Sequence, residues 1–300
     1  MVAQVIERDR QAVGLALTTA PSRATPRDAT RVIAIASGKG GVGKTNLAAN
    51  LGIALSRRGK RVLLFDADFG LANVDVLLGL QPERTLRDVV SGRCQLGEVV
   101  IEAAHGLRVV PGGCGLRELV DLDGFRRGRL LRQLADIEAD YDFVLVDAAA
   151  GVGADVTSFV SAVGEAIVVT TPEPTSLTDA YALVKVTLSQ APGTRFAVVV
   201  NSARGATEGA AAASRLQAVA QRFLGASLPL WGILPFCDEV PRAVRRQVPT
   251  LTAYPECSFS LALEQLGRRL LGQEERVLGE RPLLSRALQV FHQNRNARRH

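Results

Sequence analysis

An α/β fold, with a mostly parallel central sheet and helices on both faces, is predicted for this chain by three features. Short apolar, β-branched runs alternate with stretches of helical period along most of its length, the pattern of strand–helix–strand units. One of those runs opens on a glycine-rich turn and two others end in aspartate, so polar groups collect at one end of the strands. At 300 residues and 47% hydrophobic content, the chain can bury one large core or two small ones. No Pro/Gly/Ser linker splits the body. A single domain is therefore expected over residues 31–276, between an N-terminal arm at 1–30 and a C-terminal tail at 277–300.

The first strand is expected at Val32-Ile33-Ala34-Ile35-Ala36. It runs into Gly38-Lys39-Gly40-Gly41-Val42-Gly43-Lys44-Thr45, followed by Asn46. From Thr45 to Ser56 the residues Leu47, Ala48, Leu51, Ile53, Ala54 and Leu55 fall on a helical period. Strand, loop and helix together supply the context that the phosphate-binding pattern G-x-x-x-x-G-K-[ST] needs. Glycines let successive N–H groups point inward as an anion-binding nest, and the following helix adds the positive end of its dipole. Lys44 is then placed to reach the β- and γ-phosphates of a nucleotide, and the Thr45 hydroxyl to coordinate Mg²⁺. The chain holds only four lysines against 32 arginines, and two of the four lie in this loop. Lys39 is either a solvated surface lysine or a second phosphate contact, and the scarcity of lysine elsewhere favours the contact.

A second strand, Arg61-Val62-Leu63-Leu64-Phe65, ends at Asp66-Ala67-Asp68. Another, Phe143-Val144-Leu145-Val146, ends at Asp147. Ligands of open α/β sheets bind outside the carboxyl ends of the strands, so these acids face the phosphate side. Phosphoryl transfer to water needs a positioned nucleophile and metal-compensated charge, which carboxylates there supply. The structural alternatives are a solvated turn for Asp66 and Asp68 and a strand-end cap for Asp147.

The stretch from Lys39 to Thr45 resembles the deviant Walker A loop of the MinD/ParA family of P-loop ATPases. That resemblance implies a P-loop NTPase fold, ATP and Mg²⁺ as ligands, and an ATP-dependent homodimer in which Lys39 crosses to the partner subunit's ATP. It gives catalytic roles to Lys39, Lys44 and Asp68, with Asp68 orienting the attacking water. It places Gly38, Gly40, Gly41, Val42, Gly43, Lys44, Thr45 and Asn46 around the phosphates, and Thr45, Asp66 and Asp147 around the metal. The segment from Asp66 to Leu80 is similar to switch I of the flagellar-number regulators FlhG and FleN, the YlxH-like relatives of MinD. Val168 to Tyr181, reading VVTTPEPTSLTDAY, is the string most like theirs. Similar proteins carry a hydroxyl residue after the Asp147 position; Ala148 stands there and removes one hydrogen bond near the metal. Asn201, after Phe196-Ala197-Val198-Val199-Val200, and Pro235, in Gly232-Ile233-Leu234-Pro235, fall where such proteins contact adenine. Cys237 occupies the place of the usual Asp in that loop, and Asp238 follows it.

Charge separates body from tails. The net charge is +6, yet residues 281–300 contain five arginines and no acid and residues 1–31 carry a net +2, which leaves −1 for residues 32–280. DNA is thus an improbable partner for the body, and a ParA-type DNA-partitioning ATPase is the weaker alternative. In the tail, Leu283, Leu284, Ala287, Leu288 and Phe291 recur at helical spacing before Arg295, Arg298 and Arg299. Such a stripe either lies on an anionic membrane surface, as the targeting helix of MinD and FlhG does by resemblance, or docks on the body. In the arm, Arg10-Gln11-Ala12-Val13-Gly14-Leu15-Ala16 matches Gln, Ala and Leu of the D-Q-A-x-x-L-R element that in FlhG-like proteins activates the signal-recognition-type GTPase FlhF. Its acid and arginine are absent. No export signal and no apolar stretch of spanning length is seen, so a cytoplasmic protein, peripheral on the inner face of the cell membrane in its ATP state, is expected. The four cysteines form no C-x-x-C pair and are expected to be isolated buried thiols, which disfavours a redox carrier.

By resemblance, the chain is expected to be a slow, partner-stimulated Mg-dependent ATP hydrolase controlling flagellar number or placement. Its partners would be a second copy of itself, a FlhF-like GTPase, and a flagellar switch (C-ring) protein or flagellar transcription activator. Ala148 leaves open a non-hydrolysing anti-activator of that transcription regulator.

Overall fold

The computed structural model describes residues 30–68, 73–112 and 124–272. The arm before residue 30 and the tail after 272 lie outside them, as do the FlhF-like element and the basic amphipathic stripe read from the sequence. The described residues build one eight-stranded sheet: β1 (Arg31–Ser37), β2 (Val62–Ala67), β3 (Ile101–Glu102), β4 (Arg108–Val110), β5 (Phe143–Ala150), β6 (Glu165–Thr170), β7 (Arg195–Ala203) and β8 (Leu230–Pro235). Their order is β3-β4-β2-β5-β1-β6-β7-β8. Neighbours run parallel except β3 and β4, which pair antiparallel at one edge. The strand order reverses direction on either side of β1, so the crevice at its carboxyl end is the topological switch point.

Ten α-helices accompany the strands among the described residues: α1 (Lys44–Ser56), α2 (Val74–Leu78), α3 (Leu86–Val90), α4 (Gly124–Glu138), α5 (Ala154–Val163), α6 (Pro174–Gln190), α7 (Ala206–Leu224), α8 (Glu239–Arg245), α9 (Thr250–Ala253) and α10 (Ser258–Leu271). Every residue of β1 is buried, as parallel strands covered on both faces require. Alternation along β1 sends Ile33 and Ile35 into a layer with Leu47, Leu51 and Leu55 of α1 and Phe259 and Leu263 of α10. Val32, Ala34 and Ala36 enter the opposite layer with Phe159 of α5, Leu183 of α6 and Leu216 of α7. The strands extend slightly past the sequence expectation, and Asp66 and Asp147 fall inside β2 and β5. The sheet ladders continue there because each strand is flanked on both sides.

One polar cluster sits far from the loop, at the amino ends of the strands. Arg31 donates to both carboxylate oxygens of Glu165, at 2.5 and 3.3 Å, and to the Leu270 carbonyl at 3.2 Å. Its guanidinium also stacks 5.6 Å from the Trp231 ring centre. Arg195 adds a third bond to Glu165 at 2.9 Å. Arg31 and Glu165 are almost fully buried, so removing one leaves the other charge without compensation. Glu165→Ala should therefore cost roughly 3–5 kcal/mol in urea unfolding. Glu102→Ala, which breaks only the exposed pair with Arg108, should cost about 1 kcal/mol or less.

Candidate functional site

The loop after β1 owes its shape to specific contacts. Gly41 and Gly43 adopt φ of +78° and +88°, the left-handed region that side chains avoid. Gly43 is also the residue before α1, and a Cβ there would collide with the Asn201 amide. A Cβ on Gly38 would fall on the Asp179 carbonyl of α6. Val42 is the loop's anchor, buried in the layer under α1. Gly40 is exposed, and the Ser37 hydroxyl donates to the Lys39 carbonyl at 2.9 Å. The result is a backbone cradle that needs glycine at 38, 41 and 43.

Side chains then converge on Asp147. Lys44 Nζ lies 2.8 Å from Asp147 Oδ1, with both groups buried, and the Thr45 hydroxyl also bonds that carboxylate. Asp66 is directly across the β2–β5 ladder from Asp147. Asp66 Oδ1 accepts the Asp68 N–H at 3.0 Å, while Oδ2 accepts the N–H groups of Asn73 and Val74 at 3.3 Å each. One carboxylate thus fastens both ends of the segment from 68 to 74 and sets where Asp68 stands. Burial, with the neighbouring Asp147 charge, raises Asp66 to about 7, against the opposing pull of the Asp68 and Val74 N–H bonds. Burial also raises Asp147, with Lys44 and Thr45 pulling the other way.

This donor set suits a hard cation. Among the described residues no group of three or more His, Cys, Asp or Glu forms a metal cage. Mg²⁺ needs no such cage: it keeps several waters and takes one or two carboxylates together with substrate phosphates. The Thr45 hydroxyl and the two buried acids beside an N–H cradle meet that description.

The remaining predicted residues sit at the rim. Lys39 is half-exposed and bonded within its own subunit, to Glu173 Oε2 at 3.0 Å and the Thr175 hydroxyl at 3.3 Å. Asn201 donates from Nδ2 to the Val42 carbonyl at 2.8 Å. The ladder from β7 to β8 shifts register between Val200 and Ala203, and Ser202 has φ of +57°, so Asn201 sits at a break in regular alternation. Pro235 ends β8 opposite Ala203. The Asn46 side-chain oxygen accepts from Asn50 Nδ2 at 2.7 Å. Ala148 is buried in the layer opposite α1.

Two contributors were not read from the sequence. Glu173 is flanked by Pro172 and Pro174, and the loop that carries it is pinned by Ser176, whose Oγ accepts the Thr171 N–H at 3.0 Å. The P-E-P triplet was a usable sign of a rigidly presented acid. Asn50 is fully buried and accepts the Leu251 N–H at 2.8 Å, tying α1 to α9. A polar residue among the apolar positions of the first helix was its only signal.

Known proteins resemble this chain over most of its length. Antiactivator FleN of Pseudomonas aeruginosa is 44% identical over 240 residues, covering 80% of this chain and 86% of that protein. Flagellum site-determining protein YlxH of Helicobacter pylori is 35% identical, covering 82% and 83%. The solved structure of septum site-determining protein MinD complexed with Mg-ADP, from Pyrococcus horikoshii, superposes with a TM-score of 0.65 at 28% identity, covering 83% of this chain and all of that one. The family model for the CobQ/CobB/MinD/ParA nucleotide binding domain matches residues 33–251, and the chain, with its P-loop NTPase fold, belongs to that family.

Proposed function

We propose that this protein is a MinD-like ATPase switch that dimerises on ATP and regulates flagellar number or placement. The observation that carries it is the convergence of Lys44, Thr45, Asp66 and Asp147 beneath a glycine cradle, in a chain with FleN and YlxH among its relatives. Bound ATP would supply the phosphoanhydride, and Mg²⁺ the charge compensation that phosphoryl transfer requires.

The chain's own groups would work as follows. The N–H groups from Gly38 to Thr45 hold the phosphates, and Lys44, already desolvated, neutralises charge on them. Thr45, Asp66 and Asp147 hold the metal, directly or through water. Asp68, positioned by the Asp66 bond to its N–H, orients the attacking water. Asn201 and Pro235 border the adenine. Lys39 must leave Glu173 to reach a partner subunit's nucleotide, and an exposed pair of this kind resists by about 1 kcal/mol or less. The tail at 277–300 would bring the ATP state to an anionic membrane surface. A FlhF-like GTPase, a flagellar switch protein or a flagellar transcription activator would receive the signal, and one of them would stimulate hydrolysis.

A second possibility rests on Ala148 and on the antiactivator name of the 44% identical relative: a binding protein that represses by contact without hydrolysing. Inorganic phosphate release distinguishes the two.

Size-exclusion chromatography with ATP and Mg²⁺, with and without anionic liposomes, tests the switch. Wild-type protein should shift to a dimer and co-sediment with the liposomes. Lys39→Ala should weaken dimerisation at least tenfold while leaving monomer ATP affinity within about threefold, a loss of roughly 1.4 kcal/mol or more at the seam. Asp68→Ala should keep ATP, stay dimeric and lose hydrolysis by about 10²-fold or more; loss of ATP binding would refute its assigned role. The acids give a separate signature. Because the folded protein holds Asp66 near 7 against a usual value of 3.8, it binds more protons than the unfolded chain between those values. Its contribution is full below about pH 4 and is lost as pH rises through 7, and Asp147 acts with the same sign. In magnesium-free buffer, stability from urea unfolding should therefore fall between pH 5.5 and 8 by about 2 kcal/mol from Asp66. Asp66→Asn, or saturating Mg-ADP, should flatten that slope.

A further inference from the structure

Two short helices, α2 and α8, end against each other. The last carbonyls of α2 are closed by the Gly79 N–H on Val76 at 3.3 Å and the Leu80 N–H on Asp75 at 2.9 Å. Those of α8 are closed in the same way, by the Gln247 N–H on Val244 at 3.0 Å and the Val248 N–H on Ala243 at 3.2 Å. This motif turns the chain through one left-handed residue, Gly79 at φ of +64° and Gln247 at +54°. The two left-handed residues meet. A Cβ on Gly79 would stand 3.0 Å from the Gln247 carbonyl oxygen and 3.7 Å from the Gln247 Cβ. Glycine suits such a position at both helix ends, yet α8 carries glutamine. Gln247 is exposed, so neither core packing nor closure of its own helix accounts for a side chain there.

We propose that Gln247 is a positioning residue for Asp68: the end of α8 is the stop against which α2 seats, and through α2 it fixes the carboxylates of the hydrolytic centre. The contacts that transmit this are short. α2 has five residues, about one and a half turns, so its two ends move together. Val74 and Leu77 hold its flank in the layer with α1, and Gln247 stands against its carboxyl end. At its amino end the Asn73 and Val74 N–H groups bond Asp66 Oδ2, and Oδ1 of the same carboxylate takes the Asp68 N–H. A shift of α2 along its axis would stretch the bonds to Oδ2, turn the carboxylate and displace Asp68. A group that orients a reactant tolerates little displacement, so the loss should appear in turnover and not in nucleotide affinity. α8 leaves the end of β8 just past Pro235, so the stop also joins the strand proposed to border adenine to the acids. The role in hydrolysis rests on the ATPase reading; the seating of α2 does not.

Full-length protein is compared with Gln247→Gly, which keeps the left-handed turn and removes only the side chain. Phosphate release should fall about tenfold while ATP affinity stays within about threefold. Amide hydrogen exchange at Asn73 and Val74 should rise about tenfold, with α1 unchanged. Gln247→Asn, which also tolerates the left-handed region, should keep turnover within about threefold of wild type. Gly79→Ala adds a Cβ facing the Gln247 carbonyl. It should lose more turnover and protection than Gly225→Ala, a helix-end glycine at φ of +62° with open space around it. The combined Gly79→Ala and Gln247→Gly variant should lose less than the product of the single losses, because a glycine turn yields to the added methyl. Unchanged exchange or turnover in Gln247→Gly, equal losses in Gly79→Ala and Gly225→Ala, or strictly multiplicative losses would overturn the assignment. Should wild-type protein release no phosphate, the ATPase reading falls, while the exchange measurements still decide the stop.

Discussion

Everything at this site depends on one buried ion pair. Asp147 is almost wholly withdrawn from water, and burial alone pushes its carboxyl towards the neutral form. The Lys44 ammonium at 2.8 Å, itself buried, and the Thr45 hydroxyl draw it back towards the charged form. Asp66, one ladder position away, has no such cation and stands near 7. The site therefore carries more negative charge than its own cation compensates. A divalent metal with a polyphosphate answers that imbalance, because the metal compensates the acids and frees Lys44 for the phosphates.

The same pair explains the architecture around it. Lys44 can reach Asp147 only because α1 begins one residue after a left-handed glycine, and that glycine is further enforced by the Asn201 side chain. Asn201 reaches the loop from β7, two strands from β1, through a register break with Ser202 in a strained conformation. Asp66 in turn holds the segment carrying Asp68. Loop, acids and amide form one hydrogen-bonded assembly in which each member limits where the next can be. Lys39 is the exception. Its partner Glu173 is exposed, so its position is set by a weak surface pair and is open to competition from phosphate.

Much of the site was legible beforehand. Phosphate loops and metal acids use local patterns: glycine spacing, an apolar strand, an acid at its end. Gly38 through Thr45, Asp66 and Asp147 came from such patterns and sit together in the fold. What was not legible involves partners distant in the chain. Glu173 lies 134 positions from Lys39, and Leu251 lies 201 positions from Asn50.

By itself the sequence determined the α/β class, the order of strand and helix, and the phosphate-binding chemistry of one loop. Those properties are local, since periodicity, glycine torsions and short spacings act within a few residues. Only tertiary structure decided which acid meets Lys44, in which direction each carboxyl departs from its ordinary value, and which residue restrains Lys39. Those depend on burial and on distances between segments far apart in the chain, and the strand order β3-β4-β2-β5-β1-β6-β7-β8 sets both.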